Sequence, residues 1–296
     1  MMPKANIGTR GSDLALYQAN LLKGKLELEG LDGQIVTIST TGDRNQDRNL
    51  QSLGTGIFTK ALDEALSNGD IDLAVHSMKD VPTILQEDIE VFAVLERGEC
   101  GDVLVVNNLE RNVVATGSIR RRAQWLRRYP QDEVHGLRGN VQTRIDKVKR
   151  NEWKGGIFAK AGLARLNKAF ELNHAIELDW MIPAPAQGAI VVLGRSVDLE
   201  LKAIVSQLNH QESSLAVAIE RSFLNRLEGG CSAPIGARAI VKGQHVDFVG
   251  CLTSPNGEKE VRIARKSSDA SPQLGREWAE LLLENGGREI MKLFHQ

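Results

Sequence analysis

Hydrophobic and polar positions change period repeatedly along the chain, and the changes lay out alternating strands and helices. Residues 5–9 form a short apolar run that ends in Thr9-Arg10-Gly11-Ser12. Behind it, Leu14, Tyr17, Leu21, Leu22 and Leu26 recur at helical spacing, with Ser12 placed to cap the helix. Residues 35–38 predict a second strand, followed by a polar loop over 40–49. Phe58, Leu62, Ala65 and Leu66 mark the next helical face, which Asn68-Gly69 closes. Ile71-Asp72-Leu73-Ala74-Val75 then reads as a buried strand running into His76-Ser77-Met78-Lys79-Asp80-Val81-Pro82. Strand, helix, strand, helix, strand is the pattern of a parallel sheet with crossovers.

The pattern repeats. Runs at 91–95 and 103–106 flank a turn holding Gly98 and Gly101, where a domain boundary fits. Strands are predicted over 112–116, 134–137 and 156–159. Between and after them come a helix opened by Gly117-Ser118, one carried by Val141, Ile145 and Val148, and one over 162–167. Ile182-Pro183-Ala184-Pro185-Ala186-Gln187-Gly188 is a stiff connector, and the buried-type strand at 189–193 could return to the first sheet. Helices over 199–208 and 213–227 lead to hairpin strands over 237–241, 245–252 and 258–264, then a last helix over 272–285.

Composition narrows the class. With 296 residues, 42% hydrophobic and 25% charged, the chain is globular and long enough for two or three domains. Its net charge of −1 gives no general pull toward nucleic acid or membrane. The N-terminal residues lack the apolar stretch of a signal peptide, and no run approaches the roughly 20 apolar residues of a membrane span. Cys100, Cys231 and Cys251 include no Cys-x-x-Cys pair, which argues against a disulfide framework or a zinc knuckle and suits a reducing cytoplasm.

The charge is uneven, however. Residues 111–150 hold eleven Lys/Arg against three Asp/Glu. Arginines and hydroxyls gather at strand ends: Thr9-Arg10-x-Ser12, Thr116-x-Ser118-x-Arg120-Arg121, and Arg138-Gly139-Asn140 with Arg144. The carboxyl ends of strands are where open α/β sheets bind ligands. Cations in the first turn of a helix oppose its dipole, so Arg120 and Arg121 there point to an anionic ligand, and arginine suits carboxylate or phosphate. With only Trp125 and Tyr129 interleaved, nucleic acid is the weaker reading. Asp80 falls at the mouth of the same kind of crevice, although a solvated strand end is the plain alternative. Cys231, between Gly229-Gly230 and Ser232-Ala233-Pro234, has room for something bulky to attach, whereas Cys100 and Cys251 read as small core residues.

Taken together these stretches resemble the porphobilinogen deaminase (hydroxymethylbilane synthase) family. The matching pieces are Arg10-Gly11-Ser12-x-Leu14-Ala15-Leu16, Val75-His76-Ser77-Met78-Lys79-Asp80-Val81-Pro82 and Ser118-Ile119-Arg120-Arg121. Leu137-Arg138-Gly139-Asn140-Val141-x-Thr143-Arg144, Ala161-Gly162-Leu163-x-Arg165-Leu166 and Glu228-Gly229-Gly230-Cys231-x-Ala233-Pro234-Ile235-Gly236 complete the set, in family order over nearly the whole chain.

The resemblance implies a cytoplasmic transferase of haem biosynthesis. It would join four porphobilinogens head to tail, releasing ammonia each time, primed by a dipyrromethane held through a thioether. Cys231 would be the tether and Asp80 the catalytic carboxylate. Ser12, Lys79, Asp80, Ser118, Arg120, Arg121 and Arg144 would hold the cofactor, and Arg10, Ser12, Arg138, Arg144 and Arg165 the substrate. Loss of the amine leaves a cationic azafulvene, which a fixed carboxylate stabilises. The implied fold is α/β in three domains: 1–96 with 188–208, then 99–184, then 211–296. The first two would be like a periplasmic binding protein around a cleft, and the third a small α/β domain with a three-stranded sheet that carries the Cys231 loop. A monomer without membrane, nucleic-acid or metal partners is expected. Gln51 and Thr55 stand where many members have lysines, and Ala186 where they have glycine; Lys160 is the candidate compensating cation. The competing class is a non-catalytic two-domain binder of small polycarboxylates, which has no need of Cys231 or Asp80.

Overall fold

A computed structural model describes residues 3–39, 59–227 and 233–294. In chain order its elements begin with β1 (Lys4–Thr9), α1 (Asp13–Leu28), β2 (Asp32–Thr37), α2 (Lys60–Asn68), β3 (Leu73–Ser77) and β4 (Ile89–Val94). Next come β5 (Asp102–Val106), β6 (Val113–Ala115), α3 (Ile119–Arg128), β7 (Glu133–His135), α4 (Val141–Arg150) and β8 (Gly155–Ala159). The short α5 (Lys160–Arg165), α6 (Ala169–Asn173) and β9 (Ala175–Glu177) follow, then β10 (Ile190–Arg195), α7 (Leu199–Val205) and α8 (Gln211–Leu227). The chain finishes with β11 (Ile235–Lys242), β12 (His245–Thr253), β13 (Glu260–Ser267), α9 (Gln273–Leu282) and α10 (Arg288–Met291).

Contacts divide the chain into two compact units, residues 1–98 with 188–214, and residues 99–187 with 215–296. The first unit is built on one five-stranded sheet in the order β2-β1-β3-β10-β4. β1 pairs parallel with β2 and β3, and β10 runs antiparallel between β3 and β4. Residues 190–193 are wholly apolar because that strand is central, with both faces covered. The return of this strand to the first sheet agrees with the sequence. The parallel pairing read for the first three strands holds, and β10 re-enters in the opposite direction, which the sequence pattern left open. α1 packs Ala19, Leu22 and Leu26 against Ile7, Leu73 and Val75. Each fully buried leucine stabilises by about 1.5–3 kcal/mol relative to exposure. Tyr17, read as part of that face, is 40% exposed, and Gln18 is buried instead. β2 starts three residues before its apolar run, because the β1 ladder pairs it from Lys4 opposite Asp32.

The second unit holds a five-stranded sheet, β7-β6-β8-β5-β9, and a three-stranded antiparallel one, β11-β12-β13. In the former, β6 is parallel to β7 and β8, and β5 is antiparallel to β8 and β9. Val141, Ile145 and Val148 of α4 cover one face with Phe158 and Leu163, and Trp125 of α3 covers the other with Leu104, Val114 and Ile157. The three-stranded sheet packs Phe248 against Phe223 of α8 and Trp278 of α9. β9 and α6 have no counterpart in the sequence pattern. β9 is three residues long at a sheet edge, and α6 buries none of its residues, so neither needs an apolar period.

Candidate active site

In the first unit, the ends of β1 and β3 build a pocket lined by Arg10, Ser12, Gln18, His76, Ser77 and Asp80, among others. The local folding is legible. Ser12 caps α1 by accepting the Ala15 N–H at 3.4 Å, which ends the β1 strand and turns Arg10 toward the pocket. β3 runs two residues past its apolar core, so His76 and Ser77 still belong to the ladder, opposite Val191 and Ile190. A single 3₁₀ turn over Met78–Asp80 then carries exposed Lys79 and Asp80 to the rim. Gln18 donates to the Ser77 hydroxyl at 2.8 Å and locks it in place. His76 is 5% exposed. Burial first, and the Arg10 cation second, hold its imidazole pKa down to about 4, so the ring is neutral.

In the second unit, β6, β7 and β8 are neighbouring parallel strands, so the segments after them share one sheet edge. After β6, Ser118 caps α3 by accepting the Arg121 N–H at 3.4 Å. After β7 comes Arg138-Gly139-Asn140, in which Gly139 takes φ 111°, a conformation closed to side-chain-bearing residues. That turn lets Asn140 cap α4 through the Thr143 N–H at 2.8 Å. Arg144, one turn into α4, stacks 5.6 Å over Phe158. Arg165 stands in the last turn of α5, which begins directly after β8.

Arg120 and Arg121 depart from expectation in one respect. Both are buried, and their nearest anion is the chain's own Asp102, at 2.8 Å and 2.7 Å. Burial works against a charge on Asp102, but the two arginines and the Gln187 amide outweigh it and hold its carboxyl down to about 2. Arg120 also donates to the Ile182 carbonyl at 2.7 Å, and Arg121 to that of Ile157 at 3.0 Å. The anion these two arginines meet is thus an internal one, where the sequence led to the expectation of a ligand. Two guanidiniums against one carboxylate still leave the cluster one net positive charge. Asp102 went unread because a lone Asp heading an apolar strand looks like a solvated loop residue.

Lys160 is a plainer correction. Its ammonium lies 2.6 Å from Glu99 and 2.7 Å from Glu177, which also raise its pKa. Its charge is already matched twice over, so it does not supply the missing cation. Gln51, Thr55 and Cys231 lie outside the described residues. The other cysteines are buried, and burial pushes the Cys251 thiol up to about 12. Gln18, Ser77 and His76 are pocket residues that the sequence reading assigned no role. Gln18 gave a sign, a polar residue four places after Leu14 on the apolar face of α1. Among the described residues no group of His, Cys, Asp and Glu could hold a metal, and no helix is long and apolar enough to cross a membrane.

The family model described as porphobilinogen deaminase, dipyromethane cofactor binding domain, matches residues 5–203, and that of the porphobilinogen deaminase C-terminal domain matches residues 214–284. A porphobilinogen deaminase of Trichlorobacter lovleyi is 39% identical over 308 aligned positions, covering 100% of this chain and 98% of that one. A probable porphobilinogen deaminase of Methanocaldococcus jannaschii is 45% identical over 240, covering 79% and 82%. The chloroplastic enzyme of Pisum sativum is 41% identical over 301, covering 95% and 81%.

Proposed function

The chain belongs to the porphobilinogen deaminase family, a transferase of tetrapyrrole biosynthesis that works with a dipyrromethane, and we propose which of its residues do that work. Asp80 is the catalytic carboxylate and Cys231 the cofactor tether. In the first unit Ser12, Lys79 and Asp80 hold the cofactor, while Arg10 and Ser12 hold substrate. In the second unit Ser118, Arg120, Arg121 and Arg144 serve the cofactor, and Arg138, Arg144 and Arg165 the substrate. The observation that carries the reading is the pocket in which the β1 and β3 ends bring Arg10 and Ser12 to the same wall as Asp80.

The donor set suits the group. A dipyrromethane of this kind is a polycarboxylate, and the strand ends offer guanidiniums and hydroxyls. His76 adds a buried ring nitrogen, Nε2, without a hydrogen-bond partner. When bound, the tethered group supplies the pyrrole end to which each new unit is joined. Arginines clamp carboxylates in a bidentate fashion and so fix the substrate ring. Arg120 and Arg121 act through the net charge of their cluster, preset by Asp102 before any ligand arrives. Asp80 faces the substrate, where it stabilises the positive charge that grows as ammonia departs. It also accepts the pyrrole N–H and the proton released when the new bond forms.

The same reading divides the chain into three domains, at 1–96 with 188–208, 99–184 and 211–296, each around its own sheet. It takes the protein to be a cytoplasmic monomer whose partner is porphobilinogen, with no nucleic-acid partner. Intact mass is the test. The wild type should be heavier than its sequence by one dipyrromethane. Cys100→Ala and Cys251→Ala should keep that increment, in line with their burial, and Cys231→Ala should lose it along with turnover. An increment on Cys231→Ala would move the tether elsewhere. A wild type with neither increment nor turnover would return the chain to the polycarboxylate binders.

A further inference from the structure

His76 is hard to account for by packing. It occupies a central strand, opposite Val191 of β10, where an apolar side chain would fit at no cost in polar burial. Buried histidines ordinarily pair their ring nitrogens. The Nε2 of His76 is buried and has no partner, which is destabilising. The residue also lines the pocket that holds Arg10, Ser12 and Asp80. Among the described residues the charged groups on that wall are Arg10 and Asp80, and Arg10 is near enough to disfavour an imidazolium. A neutral ring beside a guanidinium gives a second N–H donor without a second charge. That is the arrangement an incoming carboxylate can use.

We propose that His76 contacts the ligand: with its proton on Nε2, the ring donates to a carboxylate that Arg10 also holds. The inference rests on the deaminase reading, which supplies a pyrrole acid as the ligand. The carboxylate is an acetate or propionate arm, carried either by the tethered dipyrromethane or by incoming porphobilinogen. Binding brings the buried nitrogen its missing partner, so the unpaired state of the free pocket favours ligand capture.

Two variants and one spectroscopic measurement test this. A hydrogen bond from a neutral donor to a carboxylate is worth roughly ten- to a hundredfold in affinity. If the arm belongs to substrate, His76→Phe should raise KM for porphobilinogen by about that factor with little change in kcat. If it belongs to the cofactor, His76→Phe apoprotein should capture preformed dipyrromethane correspondingly less well, read by intact mass. His76→Gln keeps an N–H donor and should recover part of either loss. In ¹⁵N-histidine-labelled protein, the His76 resonances, assigned by their loss in His76→Gln, should report a neutral ring. The Nε2 signal should move when apoprotein takes up the cofactor or when the loaded Asp80→Asn variant is given porphobilinogen. A signal unmoved in both cases overturns the inference even if His76→Phe misfolds. So does a folded His76→Phe with wild-type KM and cofactor capture, beside a loaded and active wild type. A wild type with no mass increment and no turnover overturns the deaminase reading and this inference together.

Discussion

Two aspartates near the arginines have opposite surroundings, and the contrast separates chemistry from architecture. Asp80 is exposed at the rim of its pocket, on a turn of three residues, free to meet a ligand. Asp80→Asn keeps the size and the hydrogen bonding but not the charge. Supplied with preformed cofactor, it should retain the tether and lose roughly 10²–10³ in turnover, measured in a single elongation step. Asp102 is sealed between Arg120 and Arg121. Removing one member of such a buried set costs about 3–5 kcal/mol, because the others are left unpaired. Its carboxyl pKa is about 2 when folded, against 3.8 as the ordinary value, so the folded state favours the ionised form. That contribution is fully present above pH ~4 and is lost as pH falls through 2, by about 2 kcal/mol. Urea titrations of the wild type and Asp102→Asn should therefore differ widely at pH 7 and draw together as the pH falls from 4 to 2.

Among the elements, the connector before β10 shows how a single position can carry strain. Ala186 sits at φ 62°, in the left-handed region, where a Cβ costs about 1–2 kcal/mol. Its N–H donates to the buried Glu220 carboxylate at 2.6 Å, and Glu220 also takes the Ala239 N–H of β11 at 2.6 Å. The hydrogen bond holds the backbone where alanine would not go by itself. Ala186→Gly should change stability by less than about 1 kcal/mol, because the relief of native-state strain is offset by the loss of the buried methyl and by a more flexible unfolded chain. The midpoint of thermal unfolding reads it. Most elements were legible because their residues obey local rules: Ser12 and Ser118 as caps, Val141-Ile145-Val148 as a stripe, residues 190–193 as a buried strand. What stayed hidden depends on distant parts of the chain. Asp102 gains its meaning from residues 18 and 19 places later, and Lys160 loses its expected role to Glu99 and Glu177. Neither relation has a period.

For the whole molecule, the position of β10 has a consequence during synthesis. Among the described residues β4 has a single neighbour in its sheet, and that neighbour is β10. Between Val94 and Ile190 lies an entire second five-stranded sheet, which must leave the ribosome first. At roughly 5–20 residues per second, the first sheet waits on the order of 5–20 s with β3 open along one edge and β4 unpaired. Both strands are mostly apolar, the kind of edge on which neighbouring nascent chains pair wrongly. In the second sheet the wait is shorter, because β5, the first of its strands to emerge, meets its partner β8 after about half that length of chain. The nascent protein is therefore most exposed to misassembly while the amino-terminal half is incomplete, and holding that half apart from its neighbours is the task a chaperone would meet here.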